Sequence, residues 1–182
     1  MKKKIRLSIL IIGISFIIFI VISIYPKTIH VQAQGMKYRL GAEHIGDEKS
    51  VEIDMDGTLY TSLTGSKRFV GTITIECEEI PVPENQRQLE INLSKDLSGI
   101  MHYPYMEDGV INPFFYATIF VNRSFSVATF TVYDWDLEEG NQEGSWSGDN
   151  GLMISVPASD RSEAMSISNQ LMKTYLAGYI LN

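Results

Sequence analysis

Residues 51–63, VEIDMDGTLYTSL, and residues 68–77, RFVGTITIEC, alternate apolar and other side chains along most of their length. In the first stretch Val51, Ile53 and Met55 share one parity, and the acidic residues between them share the other. Successive side chains of a β-strand point to opposite faces of a sheet, so this period of two predicts strands with one buried and one solvated face. The intervening TGSK suits a turn, and the two stretches together predict a β-hairpin.

The same period continues in most of the chain that follows. Residues 89–93, LEINL, predict a further strand. A turn-rich segment, 98–113, then precedes two apolar runs, 114–121 and 125–133, which a short polar Asn-Arg-Ser joins into a second predicted hairpin. Residues 152–156 form a last short run. About seven strands are therefore predicted, and their order along the chain favours an antiparallel sheet.

The C-terminal segment carries a helix signal. Ser159 or Asp160 can cap the first free backbone N–H groups, and Glu163 stands three residues after Asp160, which is the spacing of a capping box. Apolar side chains then recur at intervals of three and four, namely at Ala164, Ile167, Leu171 and Tyr175. We expect an amphipathic helix of about 16 to 18 residues on one face of the sheet, ending near Gly178. The predicted class is α+β.

The first 35 residues differ in composition from the rest. Four basic residues lie within residues 1–6, and the run from Leu7 to Tyr25 carries no charge. As a helix this run would be about 28 Å long, close to the roughly 30 Å of a bilayer core. We predict a transmembrane anchor at 7–25, with 1–6 cytoplasmic by the positive-inside rule, a linker at 26–35 and an extracytoplasmic domain at 36–182.

A cleaved signal peptide is the alternative interpretation of this region. Val31-Gln32-Ala33 is a small-x-small site, and cleavage near Ala33 would release the domain. The apolar core of a signal peptide has about 7 to 15 residues, shorter than this run, which favours the retained anchor. Both interpretations export residues 36–182.

The net charge of the chain argues against a nucleic-acid partner. The chain has 15 basic and 22 acidic residues, a net of −7; five of the basic residues precede position 36, so residues 36–182 carry −12. Such a surface repels nucleic acid within a Debye length of about 8 Å at physiological salt. We predict no nucleic-acid partner, whereas the membrane through residues 7–25, an envelope protein or a wall component remain open as partners.

The chain has a single cysteine, Cys77, so it cannot form an intramolecular disulfide. Cys77 is in phase with Phe69, Ile73 and Ile75 on the apolar parity of its predicted strand. We therefore expect a buried, unreactive thiol.

The sequence DMDGT at 54–58 resembles the first motif of the haloacid dehalogenase superfamily. The resemblance would make Asp54 a phosphoryl-accepting nucleophile and Asp56 a general acid beside Mg²⁺. In that superfamily the motif follows a central, continuously apolar parallel strand, whereas KSVEID alternates, and the later motifs of the superfamily are missing. We interpret the match as coincidental, and a Mg²⁺-dependent phosphatase at Asp54 and Asp56 stays an alternative.

A second acidic group lies in a hydrophilic loop, 134–151. Asp134, Asp136 and Glu138 alternate as the first oxygen ligands of a Ca²⁺ loop do, but Gly at the sixth position and Glu at the twelfth are missing. A solvated loop is the favoured interpretation, with Ca²⁺ as the alternative and no other cofactor expected. Trp135 and Trp146 flank glycines in this loop, and would stack on sugar rings or anchor the core.

One resemblance covers most of residues 36–182. The segment from Gly57 to Ile75, GTLYTSLTGSKRFVGTITI, and the segment GLMISVPASDR from Gly151 to Arg161 are similar to those of uncharacterised exported proteins of Gram-positive, Bacillus-like bacteria. The resemblance implies no activity and no site residues. We predict a non-enzymatic binding or interaction module; the alternative is a hydrolase with a site dispersed along the chain.

Overall fold

The computed structural model describes residues 12–15, 18, 20–107, 109–134 and 144–182. Eight strands of this part of the chain form one antiparallel sheet. The strands are β1 Lys27–Arg39, β2 Lys49–Thr61, β3 Lys67–Ile75, β4 Leu89–Leu93, β5 Ser98–Glu107, β6 Val110–Val121, β7 Ala128–Val132 and β8 Leu152–Val156. One α-helix, α1 Arg161–Leu171, follows β8, and two single-turn 3-10 helices lie at Ala42–His44 and Glu84–Gln86.

The strand order is β4-β3-β2-β1-β8-β7-β6-β5, so two four-stranded meanders are joined by the pairing of β1 with β8. The sheet curls until its edge strands, β4 and β5, contact each other, and it forms a nearly closed barrel. Gly99 permits this approach, because a Cβ at that position would lie 2.4 Å from Cγ2 of Ile91 on β4.

Side chains fill the barrel. Ile53, Met55, Phe69, Met101 and Phe130 point inward and are fully buried. Small barrels of eight strands have an interior just wide enough for such side chains. Most of the buried apolar side chains of the described residues belong to this core.

One end of the barrel is closed by a residue from a turn. Phe125 lies between β6 and β7 with a φ of 60°, and its ring stacks on that of Phe69 with centroids 5.4 Å apart. A left-handed backbone is strained in a non-glycine residue, and here burial of the phenyl ring offsets the strain.

The helix packs outside the barrel, across β1, β7 and β8. Asp160 caps it by accepting a hydrogen bond of 2.8 Å from the Glu163 N–H, as the capping-box spacing predicts. The Glu163 carboxylate accepts one of 2.8 Å from the N–H of Ser159, the residue before the cap. Ala164 and Met172 pack on outward-facing apolar side chains of the sheet, including Tyr38 and Phe120.

A buried group of hydroxyls connects the helix to the sheet. The Ser168 hydroxyl on α1 lies 2.7 Å from those of Tyr38 and Thr129 and 2.8 Å from that of Ser155. All four side chains are at most 1% exposed. Burial raises the pKa of Tyr38, while its hydrogen bond with Ser168 acts in the opposite direction. The group is satisfied internally, which allows polar atoms to lie between two apolar layers.

The predicted α+β class with about seven strands is wrong. The domain is a nearly closed barrel of eight strands with few helices. Two strands were not predicted: β1, which includes residues 27–35 of the predicted linker, and β5, which lies in the segment 98–113 that we read as turns. The helix is shorter than predicted, with 11 residues, since its backbone leaves the helical conformation after the C-cap, Met172.

The predicted transmembrane anchor at 7–25 and single-pass membrane localisation are also not supported. Among the residues that the structure describes, no helix has the length and apolar character needed to cross a membrane. Residues 1–11, with the basic segment and the start of the predicted anchor, lie outside those residues. Ala33, the alternative cleavage point, pairs with Ile53 in the middle of β1, so cleavage there would remove half of a central strand.

The expectation that Cys77 is buried is wrong as well. The strand β3 ends at Ile75, and Cys77 lies in the following turn with a φ of 62° and an exposed side chain. The alternation of the sequence continues past the point where the strand ends.

Replacement of Ser168 by Ala tests the buried hydroxyl group. The Tyr38 hydroxyl would lose its 2.7 Å partner, and we expect the free energy of unfolding to fall by about 1 to 3 kcal/mol in urea denaturation. Ser166→Ala, on the exposed side of the same helix, is the matched control and should change it by less than about 0.5 kcal/mol. Equal effects of the two variants would contradict the assignment.

Candidate functional site

The hairpin of β5 and β6 extends beyond the strands that flank it. β7 pairs with β6 at Ala117–Val121, whereas residues 110–115 of β6 continue past it and pair with β5 alone among the described residues. We call residues 100–106 and 110–115 the arm. A two-stranded segment that projects from a sheet offers both of its edges and one face for contact with another molecule.

The outer face of the arm is apolar. Ile100, Met106, Ile111 and Phe115 are 50%, 59%, 69% and 38% exposed. The register places them in rows along this face, since Met106 pairs with Ile111 and His102 with Phe115, whose rings lie 5.8 Å apart between centroids. The sequence has no charged residue from position 98 to 106 or from 110 to 121. Contiguous exposed apolar side chains of this kind mark interaction surfaces.

The edges of the arm are protected against pairing with further strands. Pro104 and Pro113 are directly opposite each other in the hairpin. Neither residue has an N–H, so the two form a pair without hydrogen bonds between them. In such a pair both backbone nitrogens face the outer edges of the hairpin, where a proline offers no donor to a further strand. Next to Pro104, the Met106 N–H donates to Oε1 of Gln86 at 2.8 Å. Both devices remove donors from the edges. The face, not the edge, is therefore the part of the arm suited to binding.

Asp54 and Asp56 lie on the outer surface of β2, between the antiparallel strands β1 and β3. Asp56 approaches Nδ1 of His30 at 3.0 Å, and both side chains are about two-thirds exposed. Oδ1 of Asp54 is buried and has no hydrogen-bond partner among the described residues. The antiparallel neighbours differ from the central parallel strand of the superfamily that the DMDGT motif resembles.

Of the loop 134–151, the structure describes Asp134 and residues 144–151. Trp135, Asp136 and Glu138 lie outside the described residues. Asp134 binds the Arg39 guanidinium through both carboxylate oxygens, at 2.8 and 3.1 Å, an arrangement that raises the pKa of Arg39 chiefly through the hydrogen bond. In the part of the chain that the structure describes, no group of three or more His, Cys, Asp or Glu side chains has the geometry of a metal site. Trp146 packs on the apolar layer beneath the helix.

Titratable side chains also meet inside the barrel, at the end opposite Phe125. The Lys37 ammonium forms an ion pair with the Glu78 carboxylate, to which the Tyr116 hydroxyl donates at 3.0 Å. Burial, followed by the charge of Glu78, raises the pKa of Tyr116, and burial raises that of Tyr103. Both phenols therefore stay protonated at neutral pH. The charges of Lys37 and Glu78 neutralise each other, so this group fastens β1 to the turn after β3 and to β6.

Comparisons with models of protein families, with curated proteins and with solved structures gave no match for this chain. The resemblance to exported proteins therefore stays a prediction, and the function has to be argued from the surfaces of the molecule.

Replacement of Pro113 by Val tests the protection of the arm. The new N–H would face the free edge of β6, and we expect faster self-association through edge pairing, measured by light scattering at matched concentrations. Pro81→Val, at an exposed position outside the strands, is the control and should leave the scattering unchanged. If Pro113→Val stays as monodisperse as the parent protein, the proline does not protect this edge.

Proposed function

We propose that this protein is a non-enzymatic binding module that docks another protein on the apolar face of the arm. The observation that carries the proposal is the row of exposed apolar side chains on a two-stranded projection whose residues 100–106 and 110–115 carry no charge. Burial of an exposed Ile or Phe side chain contributes roughly 1.5 to 3 kcal/mol, so a few of these residues suffice for a specific contact.

Charge favours a different protein over a second copy of this chain. The chain carries −7, and two copies would repel each other as their arms approached. A partner whose apolar surface is bordered by Lys and Arg would instead be attracted. The partner is therefore expected to have an apolar patch with a basic rim.

The hydrolase alternative gains no support from the electrostatics of the described carboxylates. The resolved shifts are both downward: a hydrogen bond from Ser94 lowers the pKa of Asp96, and a backbone hydrogen bond from Ser159 lowers that of Glu163. A general acid at neutral pH needs a raised carboxyl pKa. Both of these groups remain ionised.

The test compares three forms of the full chain. Ile111→Ser combined with Phe115→Ser removes two side chains of the face, whereas Ile45→Ser, at a position that is 70% exposed in the connection between β1 and β2, is the control. Proteins retained from an extract of the source cells by the parent and the control, but not by the double variant, are purified and titrated against all three forms by calorimetry. We expect the double variant to bind more than about tenfold more weakly and the control to bind equally.

Two results would overturn the proposal. One is a set of retained proteins that does not depend on Ile111 and Phe115. The other is self-association of the parent chain in sedimentation that the double variant abolishes, because the face would then serve contacts between copies.

A further inference from the structure

A shallow depression lies at the end of the barrel that Phe125 closes. Three turns meet there, between β2 and β3, between β4 and β5, and between β6 and β7. The depression has a volume of about 470 Å³, and its polar lining consists chiefly of Thr64, Ser66, Lys67, Ser94, Lys95 and Arg123. Each turn thus contributes at least one cation or hydroxyl. We call this surface the basic end.

The basic end is an exception on an acidic molecule. Three of its lining residues are cationic, and none of the described carboxylates lies within ion-pair distance of Lys67, Lys95 or Arg123. Lys37, Arg39 and Arg68, by contrast, each pair with a carboxylate elsewhere in the molecule. In a chain of net charge −7, three neighbouring cations without such partners form a local positive field.

The nearest acidic residue in sequence is engaged by other groups. Asp96 does not line the depression, and its Oδ1 accepts hydrogen bonds from the hydroxyls of Ser94 and Ser98 in its own turn, the second at 2.9 Å. It therefore does not neutralise the cations by direct contact.

The cations also affect one another. Burial, and then the charges of Lys27 and Arg123, lower the pKa of the Lys67 ammonium. Lys27 is the first residue of β1 and pairs with Leu59, so this strand begins beside the turn between β2 and β3. Like charges held together in this way repel, and an anion placed among them would relieve the repulsion.

The hydroxyls supply further donors. The Thr64 hydroxyl lies 2.8 Å from that of Ser62 and 3.3 Å from that of Ser66, and hydroxyl hydrogens rotate to suit a new acceptor. Arg offers a planar fork for two oxygens, and Lys acts as a point charge. This combination suits a tetrahedral oxyanion with more than one negative charge.

We propose that the basic end binds a phosphate group, held by Lys67, Lys95 and Arg123 with hydroxyl donors from Thr64 and Ser66. A depression of about 470 Å³ exceeds the size of one phosphate, so the group belongs to a diphosphate or to a phosphorylated small molecule. The site lies outside the arm, and it does not depend on the proposed docking of a protein.

The probes are orthophosphate, pyrophosphate and glucose 6-phosphate, titrated into the full chain by calorimetry at constant ionic strength, since exposed charges are screened by salt. Lys67→Gln combined with Arg123→Gln removes two cations of the site, and Lys173→Gln removes an exposed cation beyond the end of α1. Urea denaturation of each variant verifies that it is folded.

We expect the parent protein to bind pyrophosphate more tightly than it binds orthophosphate. The dissociation constant for pyrophosphate should be roughly tenfold higher for the double variant and within about twofold of the parent value for Lys173→Gln. Tighter binding of the sugar phosphate than of orthophosphate would place the organic part in the depression, and equal binding would restrict recognition to the oxyanion. Absence of saturable binding to the parent, or an equal loss in Lys173→Gln, would overturn the proposal.

Discussion

The strand β1 joins the two halves of the sheet. It pairs with β2 along one edge and, at Met36–Arg39, with β8 along the other. Its two faces serve different layers. Ile29 belongs to the filled barrel, whereas Met36 and Tyr38 lie beneath the helix. A shift of the register by one residue would exchange the faces, placing polar side chains in the core and leaving the helix without an apolar surface. The position of α1 and the closure of the barrel therefore both follow from the pairing of one strand.

Local periodicity revealed β2, β3 and β4, because each alternates strongly and ends at turn residues, whereas β8 was predicted from a short apolar run without alternation. The strand β1 was not predicted, even though Ile29, Val31 and Ala33 alternate with polar residues. Because an apolar run precedes this segment, we interpreted it as a linker after a membrane anchor or as the cleavage region of a signal peptide. In β5, Gly99 and Pro104 indicated turns, yet the glycine admits β4 and the proline sits at a free edge. Closure of the barrel depends on contacts between strands that no local pattern specifies.

The sequence alone also did not predict the two surfaces that we propose as binding sites. Apart from Phe115, the apolar face of the arm lies within the segment interpreted as turns, although the absence of charge over residues 98–106 was a visible signal. Lys67, Lys95 and Arg123 are far apart in the sequence, and an antiparallel meander brings alternate turns to the same end of the barrel. Conversely, the acidic motifs were conspicuous in the sequence. Asp54 and Asp56 lie on the outer surface of β2, where Asp56 is exposed and Oδ1 of Asp54 is buried, and Arg39 occupies both carboxylate oxygens of Asp134.

The uneven placement of charge has a consequence for the molecule as a whole. Cations concentrated at the basic end and an excess of acids over the remaining surface separate positive from negative charge along the barrel axis. The molecule consequently possesses a permanent dipole moment, and in the field of a highly charged target it experiences a torque before any contact is made. Approach to an anionic target would be led by the turns around Phe125, so the direction of the barrel axis is selected during diffusion and not only on binding.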